Sequence, residues 1–249
     1  MPAQNLVGTT ALVTGATRGF GRAITSALVG AGAKVVAVAR DTAALAALAD
    51  EHAPSVIPAT ADAADPITAG RLLDEHRPDV LVLNAGANPP AGPIQSQTWE
   101  SFSRPWELDV KQAFHWTREA LLLPLDPGST VISVSSAAAI GGSPLSGGYA
   151  GAKATVRFVA GYAAEESERA SLGIRFVSVL PMLSPTTGVG TTAATAYADR
   201  QGMTTEAFRD GMGPTLTPDQ LSQAVLDIAS DPVFTERAYL VKPSGPLPL

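Results

Sequence analysis

Thr14-Gly15-Ala16-Thr17-Arg18-Gly19-Phe20-Gly21 follows an apolar run, Thr9 to Thr14 (TTALVT), and leads into a helical pattern through Ala31. The run has the length and composition of a buried strand. A strand, a glycine-rich turn and a helix in succession make a phosphate-binding element. Glycines let the backbone come close to a pyrophosphate, and the helix start offers free N–H groups at the positive end of its dipole. The spacing here is Gly-x-x-x-Gly-x-Gly rather than the commoner Gly-x-Gly-x-x-Gly. A tight turn without a ligand is the rival reading. Three glycines at a strand-to-helix junction weigh against it.

The next strand, Lys34 to Ala39 (KVVAVA), ends in Ala39-Arg40-Asp41. A carboxylate at this tip would hold the adenosine 2′-hydroxyl of NAD(H). Alanine stands where the carboxylate is expected, and Arg40 is placed to meet a 2′-phosphate, with Arg18 approaching from the glycine turn. That arrangement favours NADP(H) over NAD(H). Asp41 either takes the ribose hydroxyl or caps the helix Thr42 to Glu51, and capping is the favoured role. After a short strand, Ser55 to Ala59, Asp62 and Ala63 sit where a loop reaches the adenine. Pro66 to His76 reads as a helix with proline in its first turn. Asp79 to Leu83 is another buried strand, and its small-residue end, Asn84-Ala85-Gly86, lets a cofactor pass close to the backbone.

Composition narrows the class. The chain has 249 residues, 45% hydrophobic and 16% charged, which suits one α/β domain with a sizeable core over 1–249 and argues against disorder. A net charge of −6 supplies no basic field for nucleic acid or an anionic membrane. There is no cysteine, so disulfides and thiolate catalysis are out, and His52, His76 and His115 lack metal-ligand spacing. The opening Met-Pro-Ala-Gln-Asn has no basic leader region, and no apolar run approaches the ~18 residues of a membrane span. The expectation is a cytoplasmic protein without a metal.

Tyr149-Ala-Gly-Ala-Lys153, thirteen residues after Ser136, supplies the chemistry. Residues four apart share a helix face, so the phenol and the ammonium are one turn apart. Free tyrosine titrates near pH ~10 and is a poor base at neutral pH. A neighbouring ammonium favours the phenolate and makes the pair a usable acid/base couple, with Ser136 beside it to hold a substrate oxygen. Alone, Tyr-x-x-x-Lys is a weak signal.

Taken together, TGATRGFG, Asn84-Ala-Gly86, Ser136 and YAGAK resemble the short-chain dehydrogenase/reductase family in order and spacing, from about Thr9 to Pro181. The resemblance implies a Rossmann-type, doubly wound parallel sheet of about seven strands with helices on both faces. It implies that Tyr149 passes a proton to or from a carbonyl or alcohol oxygen. Lys153 would tune that tyrosine and hold the nicotinamide ribose, while Ser136 orients the substrate oxygen. Cofactor contacts follow as Gly15, Thr17, Arg18, Gly19, Phe20, Gly21, Arg40, Asp62, Ala63, Asn84, Ala85, Gly86, Tyr149, Lys153, Pro181, Met182, Ser184 and Thr186. Thr186 would reach the carboxamide. Substrate contacts are Ser136, Ala138, Tyr149, Met182 and Leu183, with Ile140 and Leu145 as further apolar lining.

Three departures from the family pattern stand out. Asp109, within an expected helix Gln97 to Leu122, occupies the place where members usually carry an asparagine that holds a relay water. A carboxylate near Lys153 would stabilise the ammonium and alter the relay; the alternative is that Asp109 faces solvent. Met182 follows Pro181 where glycine is common, adding flexible apolar bulk. The tail KPSGPLPL lacks a glycine-rich finish and reads as an extended surface or interface segment. Residues 187–214 are expected to form one or two short helices closing over the cleft as a lid, with Tyr197 and Phe208 lining it. Thr217 and Pro218 open a helix to residue 230, and Ala238 to Val241 completes the sheet.

The function expected is an NADP(H)-dependent carbonyl reductase or alcohol dehydrogenase. The alternative is a non-catalytic dinucleotide-binding or sensing protein, which Asp109 and Met182 keep in play. By resemblance a homodimer or homotetramer is expected, packed through the helices 97–122 and 146–171, with Trp116 and Phe158 as candidate contacts, the alternative for either being the core of the single chain.

Overall fold

The computed structural model describes residues 5–88 and 90–249. Met1–Gln4, on which the expectation about the opening segment falls, lie outside the described residues. Seven parallel strands form the sheet: β1 Thr10–Thr14, β2 Lys34–Ala39, β3 Val56–Thr60, β4 Val80–Leu83, β5 Thr130–Val134, β6 Arg175–Pro181 and β7 Ala238–Lys242. Their order is β3-β2-β1-β4-β5-β6-β7, and β8, Gly245–Pro248, adds an antiparallel edge beside β7. The order reverses between β1 and β4, where open α/β sheets place their ligand crevice.

Ten α-helices connect the strands among the described residues. They are α1 Gly19–Gly30, α2 Thr42–Glu51, α3 Pro66–His76, α4 Trp99–Pro105, α5 Lys111–Leu122, α6 Ala138–Gly141, α7 Gly148–Arg169, α8 Gly188–Gln201, α9 Thr205–Gly211 and α10 Pro218–Ser230. The strands are apolar throughout because both sheet faces are covered. Alternation along β1 and β2 sends Ala11, Val13, Val35 and Ala37 to one face, against Ile24 and Leu28 of α1 and Leu221 and Val225 of α10. Leu12, Val36 and Val38 go to the other, with Leu72, Trp116 and Ala163 of α3, α5 and α7. Trp116 is fully buried and its indole N–H donates to Ala63 O at 2.8 Å. It belongs to the core of the single chain, so it is removed from the interface candidates.

The tail is extended and lies at the surface, as expected, and it is also paired: Gly245, at φ +114°, turns the chain back so that Leu247 lies opposite Leu240. The expected helix 97–122 runs without a gap from Trp99 to Leu122 but is not regular: after Pro105, which cannot donate to the helical ladder, Trp106–Val110 forms a π-helical turn before α5. The segment 187–214 does form two helices, divided at Gly202 (φ +66°) and restarted by the Thr204 cap on α9. Asp41 caps α2, accepting from Ala44 N–H at 3.0 Å, and Thr217 caps α10 with Gln220 closing the box. No helix among the described residues is long and apolar enough to cross a membrane.

Candidate active site

A cleft of about 650 Å³ opens at the carboxyl ends of the strands. Its first part lies over the β1–α1 turn. Gly15 adopts φ +64°, and a side chain there would press within 2.8 Å of Ala85 Cα. Gly21 plays a different part from its neighbours. It does not line the cleft; a Cβ on it would lie 2.0 Å from Gly15 O, so it lets α1 pack under the turn. Thr17, Arg18, Gly19 and Phe20 do line the cleft.

Asn84 ties this turn to β4. Its amide donates to Thr14 O at 3.1 Å and Gly15 O at 3.3 Å, while Thr14 Oγ1 accepts the backbone N–H groups of Asn84 and Ala85. The three-residue end of β4 therefore sets the glycine turn as well as lining the cleft. Arg18 precedes α1 and offers that helix no side-chain cap, whereas α2 and α3 are each capped by an aspartate. The α1 N-terminus keeps its donors free toward the cleft. Arg18 and Arg40 are exposed, and neither guanidinium has an ion-pair or hydrogen-bond partner among the described residues. Asp62 and Ala63 complete this end.

The second part of the cleft is formed by β5, α7 and the π turn. Ser136 follows β5, and its Oγ accepts the Ala138 N–H at 3.2 Å. Tyr149 and Lys153 lie one turn apart on α7, with Nζ 5.7 Å from the phenol ring centre. Lys153 is 6% exposed, and its ammonium donates to Val134 O at 3.0 Å. Ser135, which the sequence reading passed over, donates to the Lys153 backbone carbonyl at 2.7 Å and fixes that helix turn.

Asp109 does not face solvent. It is 1% exposed, its Oδ1 accepts the Ala87 N–H at 2.7 Å, and its Oδ2 stands 3.1 Å from Lys153 Nζ. Burial works to lower the lysine pKa, but the charge of Asp109, helped by Tyr149 and by the hydrogen bond to Asp109, more than reverses it. Lys153 is held above the ordinary lysine value.

Pro181, Met182, Leu183, Ser184 and Thr186 line the far wall, together with Ala138 and Leu145. Ile140 does not: it sits 54% exposed on α6 and drops out of the apolar lining. Tyr197 of α8 lines the cleft, while Phe208 stacks on it from α9 at 5.9 Å between ring centres rather than facing the cavity. Thr192 of α8, unmarked in the sequence, accepts from the Asn88 amide at 3.3 Å and ties α8 to the loop after β4. No group of three or more histidine or acidic side chains among the described residues is placed to hold a metal.

The chain matches the profile of the short chain dehydrogenases over residues 9–196. It belongs to the short chain dehydrogenase family. Many solved structures share its fold. One is the crystal structure of a 3-ketoacyl-(acyl-carrier-protein) reductase from Brucella melitensis complexed with NADH. It is 26% identical, covers 95% of this chain and 98% of its own, and superposes with a TM-score of 0.79. No curated protein matches the sequence.

Proposed function

We propose that this chain is an NADP(H)-dependent oxidoreductase that transfers a hydride between nicotinamide and a carbonyl or secondary alcohol. The observation that carries the reading is one cleft holding Ser136, Tyr149 and Lys153 at one end and two unpartnered arginines beside an uncapped helix start at the other. The residues fit a dinucleotide. Free N–H groups at α1 suit a pyrophosphate, the small end of β4 leaves a path for the chain of the cofactor, and Arg18 and Arg40 suit a 2′-phosphate.

The bound nicotinamide supplies or accepts the hydride. Tyr149 gives its hydroxyl proton to the carbonyl oxygen during reduction and takes a proton from the alcohol during oxidation. Ser136 holds that oxygen in line with the phenol, and Lys153 orients the ribose. Met182, 40% exposed just past β6, lines the site where a glycine would leave space and favours an apolar substrate. The related reductase was crystallised with NADH; the choice of the phosphorylated cofactor here rests on Arg40 and on Asp41, whose carboxylate is engaged as a helix cap.

As a homo-oligomer in the cytoplasm, the chain would pack through α7, where Phe158 (56% exposed) stacks on the exposed Tyr162. The competing reading, a binding or sensing protein without turnover, draws on the engagement of Lys153 by Asp109. Calorimetric titration with NADPH and NADH, followed by a carbonyl-substrate screen with Tyr149→Phe as the blank, separates the two. Tighter binding of NADH would overturn the cofactor choice. Binding without any turnover would favour the sensor.

A further inference from the structure

Asp109 and Lys153 form a buried ion pair at the reacting end of the cleft, and among the described residues neither has another ion-pair partner. The carboxylate is anchored from one side by the Ala87 N–H, and the ammonium from the other by Val134 O. Gly86 makes the approach possible, since even a Cβ there would lie only 3.2 Å from Asp109 Oδ2. The pair adds no net charge to the wall of the cleft. An asparagine in place of Asp109 would leave one positive charge.

We propose that Asp109 is a positioning residue that cancels the charge of Lys153. The cleft then holds the oxidised, cationic nicotinamide ring more tightly, relative to the reduced and neutral ring, than a lone ammonium would permit. This inference rests on the nicotinamide reading above. The two redox forms of the cofactor differ by one unit of charge, confined to the ring. A buried ammonium in the wall at this end of the cleft would repel only the oxidised form. Contacts to ribose and phosphates are common to both forms, so they cancel in the ratio of the two dissociation constants.

Other titratable groups on the cleft wall stand apart from this pair or are shared. Arg18, Arg40, Asp41 and Asp62 lie at the ends of β1, β2 and β3, where they meet the part of the ligand that does not change charge. Tyr149 lies one turn from Lys153, and Tyr197 faces the cleft from α8. Glu107 is paired with Lys111 on the exposed side of the π turn.

The test is titration of the wild-type chain and of Asp109→Asn with NADP⁺ and with NADPH, at about pH 6 and about pH 9. In wild type the ratio of the two dissociation constants should stay level across this range. In Asp109→Asn it should rise about tenfold against the oxidised form at the lower pH. It should fall back toward wild type at the higher pH, because an unpaired buried ammonium sheds its proton. A merely structural role would weaken both forms alike and leave the ratio level. Should Asp109→Asn fail to fold, Asp109→Asn/Lys153→Met removes both charges and should restore the wild-type ratio at both pH values.

A ratio within about twofold of wild type in the folded single variant at pH 6 overturns the proposal, as does a tenfold change in the double variant. A wild-type chain that binds neither form removes the nicotinamide reading itself, and the inference with it. Both forms bound with an unaltered ratio removes only the role of Asp109.

Discussion

At the end of the cleft where β1 meets α1, the wall is mainly backbone: a left-handed glycine, uncapped N–H groups and an asparagine amide spent on holding carbonyls. At the end where β5 meets α7, it is side chains with their charges set against each other, Lys153 between Val134 O and the Asp109 carboxylate. The first end binds by shape and dipoles, which do not titrate. The second is tuned by protons, so single substitutions there should change chemistry and pH response more than shape.

The sharpest break of the second end is Tyr149→Phe. Loss of a general acid/base should lower kcat by about 10²–10⁴-fold, with cofactor affinity unchanged by calorimetry. Equal turnover in the two proteins would move the proton chemistry elsewhere. Next comes Asp109→Asn, which leaves a buried ammonium unpaired and should lower stability by about 3–5 kcal/mol in denaturant unfolding. The sign of its pH dependence follows from Lys153, whose folded-state pKa lies above the ordinary value of 10.5. The stabilisation is fully present below that value and is lost as pH rises through the folded pKa. Wild type and variant should therefore converge in stability only in strongly alkaline solution.

The first end breaks differently. Gly21→Ala places a methyl group on Gly15 O and should cost about 1–3 kcal/mol of stability while loosening NADPH binding, with no new pH dependence. Arg40→Ala should weaken NADPH by about tenfold, as expected for one charge-assisted contact, and leave NADH and the melting temperature unaltered. The smallest effect belongs to Asp41→Ala, which removes the α2 cap for about 1 kcal/mol of stability. A larger loss confined to NADH affinity would show that Asp41 meets the ribose after all.

Legibility in the sequence follows the same division. The glycine turn and the Tyr149–Lys153 pair could be placed because both are local patterns whose geometry depends on residues no more than four to seven apart. Asn84 was visible as a small strand end, but its grip on Gly15 O joins residues 69 apart and belongs to the fold. Asp109 was harder. It shares a helical face with the buried Pro105, Ala113 and Trp116, so its inward direction follows ordinary helical spacing, but its partner Lys153 lies on α7 and the pairing belongs to the fold. Ile140 failed because the four-residue α6 has no periodicity to show which way it turns. β8 escaped notice because Gly-Pro-Leu-Pro has neither the alternation nor the propensity of a strand until Gly245 folds it against β7.

That last strand, with its counterpart at the opposite margin, has a consequence for how these molecules behave when crowded. Leu249 N–H points inward to Ala238 O, so the alternation turns positions 246 and 248 outward, and both are prolines. Across the sheet, Ala61 N–H points inward to Ala39 O, which turns Pro58 of β3 outward in the same way. Outward-facing amide hydrogens are thus missing at both such positions of β8 and at the middle one of β3, where another strand would need them. Crowded copies can meet through helices, but neither margin invites a neighbour to lengthen the sheet into a fibre.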